Sequence, residues 1–175
     1  MVNKRKGRRT LLLLALVCTL PVVASYATYY LWQPEGRVNY GELLEPSPLP
    51  SPLAPLADDL RGRWTLVYAS DGPCDADCET ALYYMRQVRT AQGEHMDRVE
   101  RLWLRAGSDG TGERTEADGM VVAQVDRAAL AALPATEQVL LLDPLGHVMM
   151  RFPVDPDPKR MIRDLARLLK YSRIG

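Results

Sequence analysis

The sequence is poor in the residues that hold structural metal ions. Its 175 residues include three cysteines and two histidines, and no four of these recur at the ligand spacings of a structural zinc site. A zinc-stabilised domain of the usual kind is therefore excluded. The chain also lacks an internal repeat, and its length and 47% hydrophobic content predict one folded domain.

Acidic residues are absent from the first 34 positions, where five of the 22 basic residues lie. These five are Lys4, Arg5, Lys6, Arg8 and Arg9. The remainder keeps 17 basic against 22 acidic residues, a net charge of about −5. A negative domain argues against nucleic acid as the partner, because phosphate binding needs clustered positive charge.

Charge is also missing from residues 10–32, a stretch of 23 residues rich in leucine and valine. As a helix it is long enough to cross a hydrocarbon core of about 30 Å, so it is predicted to span a membrane. Residues 1–9 are then cytoplasmic, and the aromatic residues near Trp32 lie at the far interface. Cys18 is expected to face lipid or a neighbouring helix. A cleaved signal peptide is the alternative, because the small residues of "VVASYA" follow an apolar core.

Residues 33–58 contain six of the 13 prolines and little periodic hydrophobicity. Proline-rich chain favours extended polyproline geometry, so this segment is predicted to be a linker. It would separate the membrane helix from a folded domain over residues 59–175.

The domain begins with a strand, a helix and a second strand. "RWTLVYAS" is a β-rich run that ends before an Asp-Gly-Pro turn signal. Apolar residues then recur at helical spacing between Glu79 and Gln92, and a second strand is centred on Leu102 to Leu104. This order predicts a βαβ unit.

The second half predicts a hairpin followed by a helix. Before them come a glycine-rich surface loop over 107–119, "MVVAQ" as a strand or loop return, and a short helix between Asp126 and Pro134. Strands 138–142 and 147–152 flank an Asp-Pro-Leu-Gly turn, and the last helix starts at Asp157 and Pro158. The basic face of that helix is either a solvated surface or a docking surface. The complete order predicts an α/β thioredoxin-like fold with a central mixed sheet flanked by helices.

Cys74 and Cys78 lie where the first strand gives way to the first helix. Within a regular helix their Cβ atoms would be about 5–6 Å apart, whereas a disulfide needs about 3.8 Å. A closed bridge therefore requires Cys74 off the helix and Cys78 in its first turn. Helix N–H groups would favour a thiolate there, and Asp75 and Asp77 would oppose it. The pair is a structural bridge, a redox pair or a metal-binding pair, and its corner position favours the last two.

Two thiolates also suit Cu(I), a soft ion that accepts sulfur and imidazole ligands. A third ligand would have to come from elsewhere in the chain. His147, which opens the return strand of the hairpin, is a candidate ligand. His95 and the Met149–Met150 pair are weaker ones.

These motifs together resemble the Sco/SenC family. The resemblance rests on the membrane anchor, the C-x3-C in "WTLVYASDGPCDADCETALYYMRQV", and "VLLLDPLGHVMMRFP" before a closing amphipathic helix, over roughly residues 60 to 171. More closely, it resembles the Sco-related transmembrane proteins found beside cytochrome oxidase assembly genes in some proteobacteria. Family members are thioredoxin-like and help mature the copper centre of cytochrome c oxidase, by delivering copper, reducing the acceptor cysteines, or both.

The resemblance implies that Cys74 and Cys78 are the copper-binding or redox thiols. The family's third copper ligand is a histidine before the strand that leads into the D-P-x-G turn. This sequence has Pro134-Ala135-Thr136-Glu137 there instead. The departure favours a thiol reductant or a carrier of Cu(I) alone.

Three functions follow as hypotheses. The first is an oxidase assembly factor in the bacterial inner membrane, with one membrane span, a cytoplasmic N-terminus and a periplasmic domain. It would act on a respiratory oxidase subunit or on other copper and thiol assembly proteins, as a metallochaperone or exchange factor rather than a classical enzyme. The second is a general thiol-disulfide oxidoreductase, and the third is a non-catalytic scaffold.

Overall fold

The computed structural model describes residues 4–31, 39–107, 114–117 and 119–175. They divide into two compact units, Met1–Val38 and Asn39–Gly175. The described part of the first unit is helix α1, Lys4–Leu31. Its segment Gly7–Leu31 has a mean hydropathy of 2.1 and is, by length and composition, able to cross a membrane. The predicted membrane helix thus coincides with a continuous helix up to Leu31.

The second unit is a mixed sheet with helices on both faces. Its strands are β1 Glu42–Pro48, β2 Trp64–Ser70, β3 Val99–Ala106, β4 Arg114–Ala117, β5 Met120–Val125, β6 Val139–Leu142 and β7 His147–Arg151. Its helices are α2 Ala54–Asp59, α3 Ala76–Thr90, α4 Arg127–Ala131 and α5 Pro158–Tyr171, with 3-10 turns at Ser51–Leu53 and Gly93–Arg98. The strand order is β1-β7-β6-β2-β3-β5-β4.

The sheet combines a parallel half and an antiparallel half. β2, β3 and β5 run parallel, whereas β6, β7 and β1 continue the sheet on the other side of β2 as antiparallel neighbours. The predicted βαβ unit, the strand at "MVVAQ", the hairpin and the closing helix are all present. The thioredoxin-like fold class is therefore confirmed.

The core forms two layers because β2 is buried on both faces. Val67 and Ala69 pack with α4 and the Ser51–Asp59 region on one face. Leu66 and Tyr68 point to the opposite face, where they pack with α3 and α5. The two-residue period of a strand thereby assigns Tyr68 to the same layer as the cysteine pair.

The proline-rich segment differs from the linker predicted over 33–58. Residues 42–48 form β1, which pairs with β7 from Glu42 opposite Arg151 to Pro48 opposite His147. Prolines are tolerated there because β1 is an edge strand, where half of the backbone groups need no partner in the sheet. The folded unit therefore begins near Asn39 and not at residue 59.

The glycine-rich loop also differs from its prediction in part. Residues 108–113 and 118 lie outside the described residues, but Arg114–Ala117 form β4 and pair antiparallel with β5. The segment therefore contributes the other edge strand of the sheet.

Candidate functional site

Cys74 and Cys78 form a disulfide beyond the end of β2. Their Cα atoms are 5.2 Å apart, within the range usual for disulfides. Cys74 lies in the loop before α3 and Cys78 is the third residue of that helix. This is the arrangement that the four-residue spacing requires.

The cap of α3 fixes the position of Cys78. Asp75 is the N-cap residue, and its carboxylate accepts a hydrogen bond from the Cys78 N–H at 3.0 Å. Cys78 is buried, with 2% of its surface exposed, whereas Cys74 is half-buried. Cys74 is thus the more exposed residue of the pair.

A cleft of about 330 Å³ opens beside the disulfide. Cys78 lines it together with Tyr68 and Ser70 from the end of β2 and the carboxylates of Asp75 and Asp77. Glu137 also lines the cleft. The cleft therefore combines a disulfide sulfur with a phenol and three carboxylates.

Glu137 reaches the cleft through an unusual backbone conformation. Its φ is +58°, in the left-handed region that a side chain other than glycine seldom occupies. Its N–H donates to the Ala69 carbonyl at 2.8 Å, which ties the segment before β6 to the end of β2. Strained backbone of this kind is concentrated at functional sites.

Tyr68 lies at the floor of the cleft and is 3% exposed. Burial raises the pKa of its phenol above the ordinary 10.0, and the negative charges of Glu137, Asp75 and Asp77 raise it further. Burial and negative charge both disfavour a tyrosinate. Tyr68 is therefore a neutral phenol at physiological pH.

The two histidines lie at the opposite end of the sheet from the disulfide. His147 is the first residue of β7 and pairs with Pro48. The start of β7 lies beside the end of β6, and the end of β6 pairs with Thr65 near the start of β2. The length of β2 separates this end from Cys74, about 20 Å at 3.3 Å per residue. His147 instead places its Nδ1 3.3 Å from the Asp143 carboxylate. The structure does not bring this predicted ligand to the cysteines.

His95 lies before β3, also at the end where β2 begins. Met150 is buried in the core and Met149 packs against it from a half-buried position. Among the described residues, no three histidine, cysteine or acidic side chains are grouped so that they could hold a metal ion. The described protein thus offers the two sulfurs and no imidazole for copper.

Sequence reasoning missed Tyr68 and Glu137 as site residues. Tyr68 is the last large residue of a buried strand that leads to the cysteines, which was a usable signal. Glu137 stands in the segment Pro134–Glu137, whose only feature noted in the sequence is that it lacks a histidine. Its side chain could be placed in the cleft only after the contact between its backbone and Ala69 was known.

Comparison with known proteins agrees with this fold. A family model for the transmembrane-like, thioredoxin-like C-terminal domain matches residues 64–172. A comparison with curated proteins finds no significant relative.

Solved structures of Sco proteins share the fold. The crystal structure of yeast Sco1 with copper bound superposes with a TM-score of 0.54 at 11% identity, covering 78% of this chain and 96% of that one. Arabidopsis thaliana ScoI with copper bound gives a TM-score of 0.52 at 10% identity, covering 66% of this chain and 89% of that one. The predicted resemblance to Sco proteins is thus confirmed at the level of the fold. Over residues 64–172 the chain belongs to the family of transmembrane-like, thioredoxin-like C-terminal domains.

Proposed function

We propose that this protein is a membrane-anchored assembly factor for cytochrome c oxidase whose Cys74–Cys78 pair acts on the copper site of the oxidase. The observation that carries the proposal is the disulfide at the N-terminus of α3, with Cys74 half-buried and Cys78 buried. A thioredoxin-like fold with the sulfurs at this corner suits thiol exchange better than a structural bridge. A bridge that closes so short a loop stabilises little.

The pair can act in two ways. As a dithiol, one sulfur attacks an oxidised pair of acceptor cysteines and the other resolves the mixed disulfide. Two electrons pass to the acceptor, and Cys74 and Cys78 are left as the disulfide. Alternatively, the two thiolates carry Cu(I) as cargo, because a soft ion accepts two sulfur ligands.

The surroundings of the pair favour the thiol reaction. Neither His147 nor His95 lies at the disulfide end of the sheet, so a three-ligand Cu(II) site of the Sco kind has no imidazole donor among the described residues. Two sulfurs alone can bind Cu(I) but would hold copper more weakly than a three-ligand site. We therefore expect reduction of acceptor cysteines to be the main activity and Cu(I) transfer to accompany it.

The proposed location is the bacterial inner membrane with the domain in the periplasm. Helix α1 supplies a span of sufficient length, and the basic residues before it favour a cytoplasmic N-terminus. The periplasm also permits disulfides.

A complementation experiment tests the function. Cells that lack the protein should lose cytochrome c oxidase activity at limiting copper, and the native chain should restore it. A Cys74→Ser/Cys78→Ser chain should fail to restore activity, whereas a Cys18→Ser chain should succeed. Intact oxidase activity in the deletion strain would refute the assembly role, and full rescue by the double variant would favour the scaffold.

Titration with Cu(I) tests the copper-carrying mode and the role of His147 in it. The reduced full chain in detergent should bind about one Cu(I) per pair of thiolates, and His147→Ala should not change the affinity. Loss of binding in the His147 variant would show that this residue reaches the pair in solution.

A general thiol-disulfide oxidoreductase is the second candidate, favoured by the missing imidazole at the cleft. It predicts that the deletion strain retains oxidase activity and accumulates unrelated periplasmic proteins in the wrong thiol state. Thiol labelling of the whole periplasm distinguishes this outcome from a defect confined to the oxidase.

A further inference from the structure

We infer that the basic face of α5 binds the anionic headgroups of a lipid bilayer and so holds the folded unit against the membrane surface. The basic face consists of five exposed side chains, Lys159, Arg160, Arg163, Arg167 and Lys170. Such binding would not depend on the chemistry of the cysteine pair.

Positive charge in the folded unit is concentrated on this helix and the residues after it. Residues 158–175 contain six basic residues and one acidic residue, whereas residues 39–157 contain 10 basic and 20 acidic residues. The acidic residue of the helix, Asp164, is buried and accepts hydrogen bonds from the backbone N–H groups of Tyr40 and Gly41. An anionic surface would therefore attract α5 and repel the rest of the unit, which selects one orientation.

The charges of the basic face do not stabilise the helix that carries them. Lys159, Arg163 and Arg167 follow one another at i,i+4 spacing, at which like charges repel. Lys159 and Arg160 also lie in the first turn, where the helix dipole disfavours cations, and Asp157 at the N-cap offsets only part of this cost. An anionic surface against the helix would relieve the repulsion, so the charge pattern suits a bound helix better than a solvated one.

Two exposed apolar side chains lie at the end of the same helix. Tyr171 is 74% exposed and follows Arg167 at i,i+4 spacing, and Ile174 is 54% exposed. Tyrosine favours the membrane–water interface, and basic residues beside exposed apolar ones are typical of helices that lie on lipid. The backbone here is fixed, because Arg98 donates hydrogen bonds to the carbonyls of Ser172 and Ile174 at 3.0 and 3.3 Å.

The connection to α1 favours lipid over a soluble acidic partner. Seven residues separate Leu31, the end of the candidate membrane helix, from Asn39, where the folded unit begins. A chain of that length spans at most about 28 Å, so the folded unit stays beside any bilayer that α1 crosses. The chain also enters the folded unit at α5, because the Tyr40 hydroxyl accepts the Asp157 N–H at 2.9 Å and the Tyr40 ring lies under Arg160.

Docking through α5 would also keep the cysteine pair near the bilayer. α5 packs in the same core layer as α3, whose first turn holds Cys78. A membrane-bound partner would then meet the disulfide in one orientation.

The test uses the full chain in lipid nanodiscs, with a nitrobenzoxadiazole dye attached at Ala166→Cys in a Cys18→Ser background. Labelling without reductant keeps the Cys74–Cys78 disulfide. Ala166 is exposed on α5, between Arg163 and Lys170, and the dye brightens when it leaves water. Its emission should be several-fold higher in discs that contain about 30% phosphatidylglycerol than in discs of phosphatidylcholine alone.

Two controls accompany the comparison of the discs. The same dye at Ala132→Cys should show no difference, because Ala132 is exposed at the end of α4, on the opposite face of the sheet. About 1 M salt should abolish the increase at Ala166→Cys, because the Debye length is then about 3 Å.

Variants identify the residues responsible. Lys159→Gln/Arg163→Gln/Lys170→Gln should lower the docking equilibrium constant about a hundredfold, because each basic residue near an anionic surface changes partitioning about fivefold. The matched control is a second triple variant, Arg61→Gln/Arg63→Gln/Arg127→Gln. It removes the same charge outside α5 and should keep the emission increase. Circular dichroism checks that each variant is folded.

The outcomes are distinct from those that test the proposed function. Equal emission from Ala166→Cys in the two kinds of disc would overturn the inference and point to an acidic protein as the occupant of the basic face. Loss of the increase in both triple variants would also overturn it, because net charge and not this face would then be responsible. Neither result changes the expected outcome of the complementation experiment with the cysteine variants.

Discussion

Tyr68 is a phenol held neutral by its surroundings. Its pKa is raised above 10.0 by burial and by Glu137, Asp75 and Asp77. Between pH 10.0 and the folded-state pKa, the unfolded chain loses this proton and the folded chain keeps it. The free energy of unfolding should therefore fall as pH rises through that window, and the contribution of Tyr68 should be fully present below pH 10.0.

A spectroscopic titration checks this prediction. The tyrosinate absorbance of the native protein should contain one late-titrating phenol, which Tyr68→Phe removes and Tyr83→Phe retains. Glu137→Gln should move the late phenol toward the ordinary pKa, because one of the raising charges is gone. A native titration that is identical in the Tyr68 variant would contradict the prediction.

Single residues show where sequence reasoning sufficed. Asp157 is predicted to start the last helix because Pro158 follows it, and it is the N-cap residue of α5. Asp75 is the N-cap residue of α3, a role that the sequence analysis does not assign to it. Glu137 could not be assigned, because its role depends on a left-handed backbone and on a contact with Ala69. Asp164 had a visible but unused signal, an acidic residue within the apolar stripe of the last helix.

At the scale of secondary-structure elements, Asp164 links the chain that enters β1 to helix α5. Asp164 is 5% exposed, and its carboxylate accepts hydrogen bonds from the backbone N–H groups of Tyr40 and Gly41, at 2.7 and 2.9 Å. The Tyr40 ring also lies under the Arg160 guanidinium at 4.2 Å. These contacts hold the chain that enters β1 against the final helix.

Removing this carboxylate should destabilise the folded unit. Asp164→Ala leaves two N–H groups without their acceptor, so the free energy of unfolding should fall by about 3 kcal/mol. Denaturant unfolding of the full chain measures the change. Asp97→Ala, an exposed substitution, should stay within about 0.5 kcal/mol of the native protein; equal effects of the two variants would contradict the assignment.

Whether a strand could be predicted from the sequence depended on its position in the sheet. The central strands β2 and β6 were predictable because burial on both faces demands continuous apolar runs. β3 was predictable from its apolar centre, Leu102 to Leu104. Both edge strands, β1 and β4, were missed, since "ELLEPSP" and "RTEA" carry little hydrophobic pattern. Such segments become strands because a neighbour supplies backbone partners, which a local pattern does not record.

For the molecule as a whole, the disulfide should contribute modestly to stability. It joins two cysteines that are four positions apart in the sequence. For so short a loop, chain entropy predicts a stabilisation of about 2 kcal/mol. Reduction should lower the free energy of unfolding by about that amount and leave the protein folded. Denaturant unfolding with and without reductant measures it, and global unfolding on reduction would favour a structural bridge instead of a working pair.

Helix α1 should keep the whole chain in the membrane. A chain with different epitopes at its two ends should remain intact in the membrane fraction after alkaline extraction, because a 25-residue apolar helix partitions into lipid. Both epitopes should be detected on the same band. Release of a shorter chain that carries only the C-terminal epitope would instead show a cleaved signal peptide.

The sequence by itself determined the apolar helix that is long enough to span a membrane, the order of the central elements and the strand-to-helix corner that holds Cys74 and Cys78. These features depend on local composition, period and capping. Tertiary structure alone decided that Tyr68 and Glu137 share a cleft with Cys78, that His147 lies at the far end of the sheet, and that residues from Asn39 belong to the folded unit. Those outcomes depend on which strands pair and in what register, and pairing between distant segments is set by packing and backbone partners across the whole sheet.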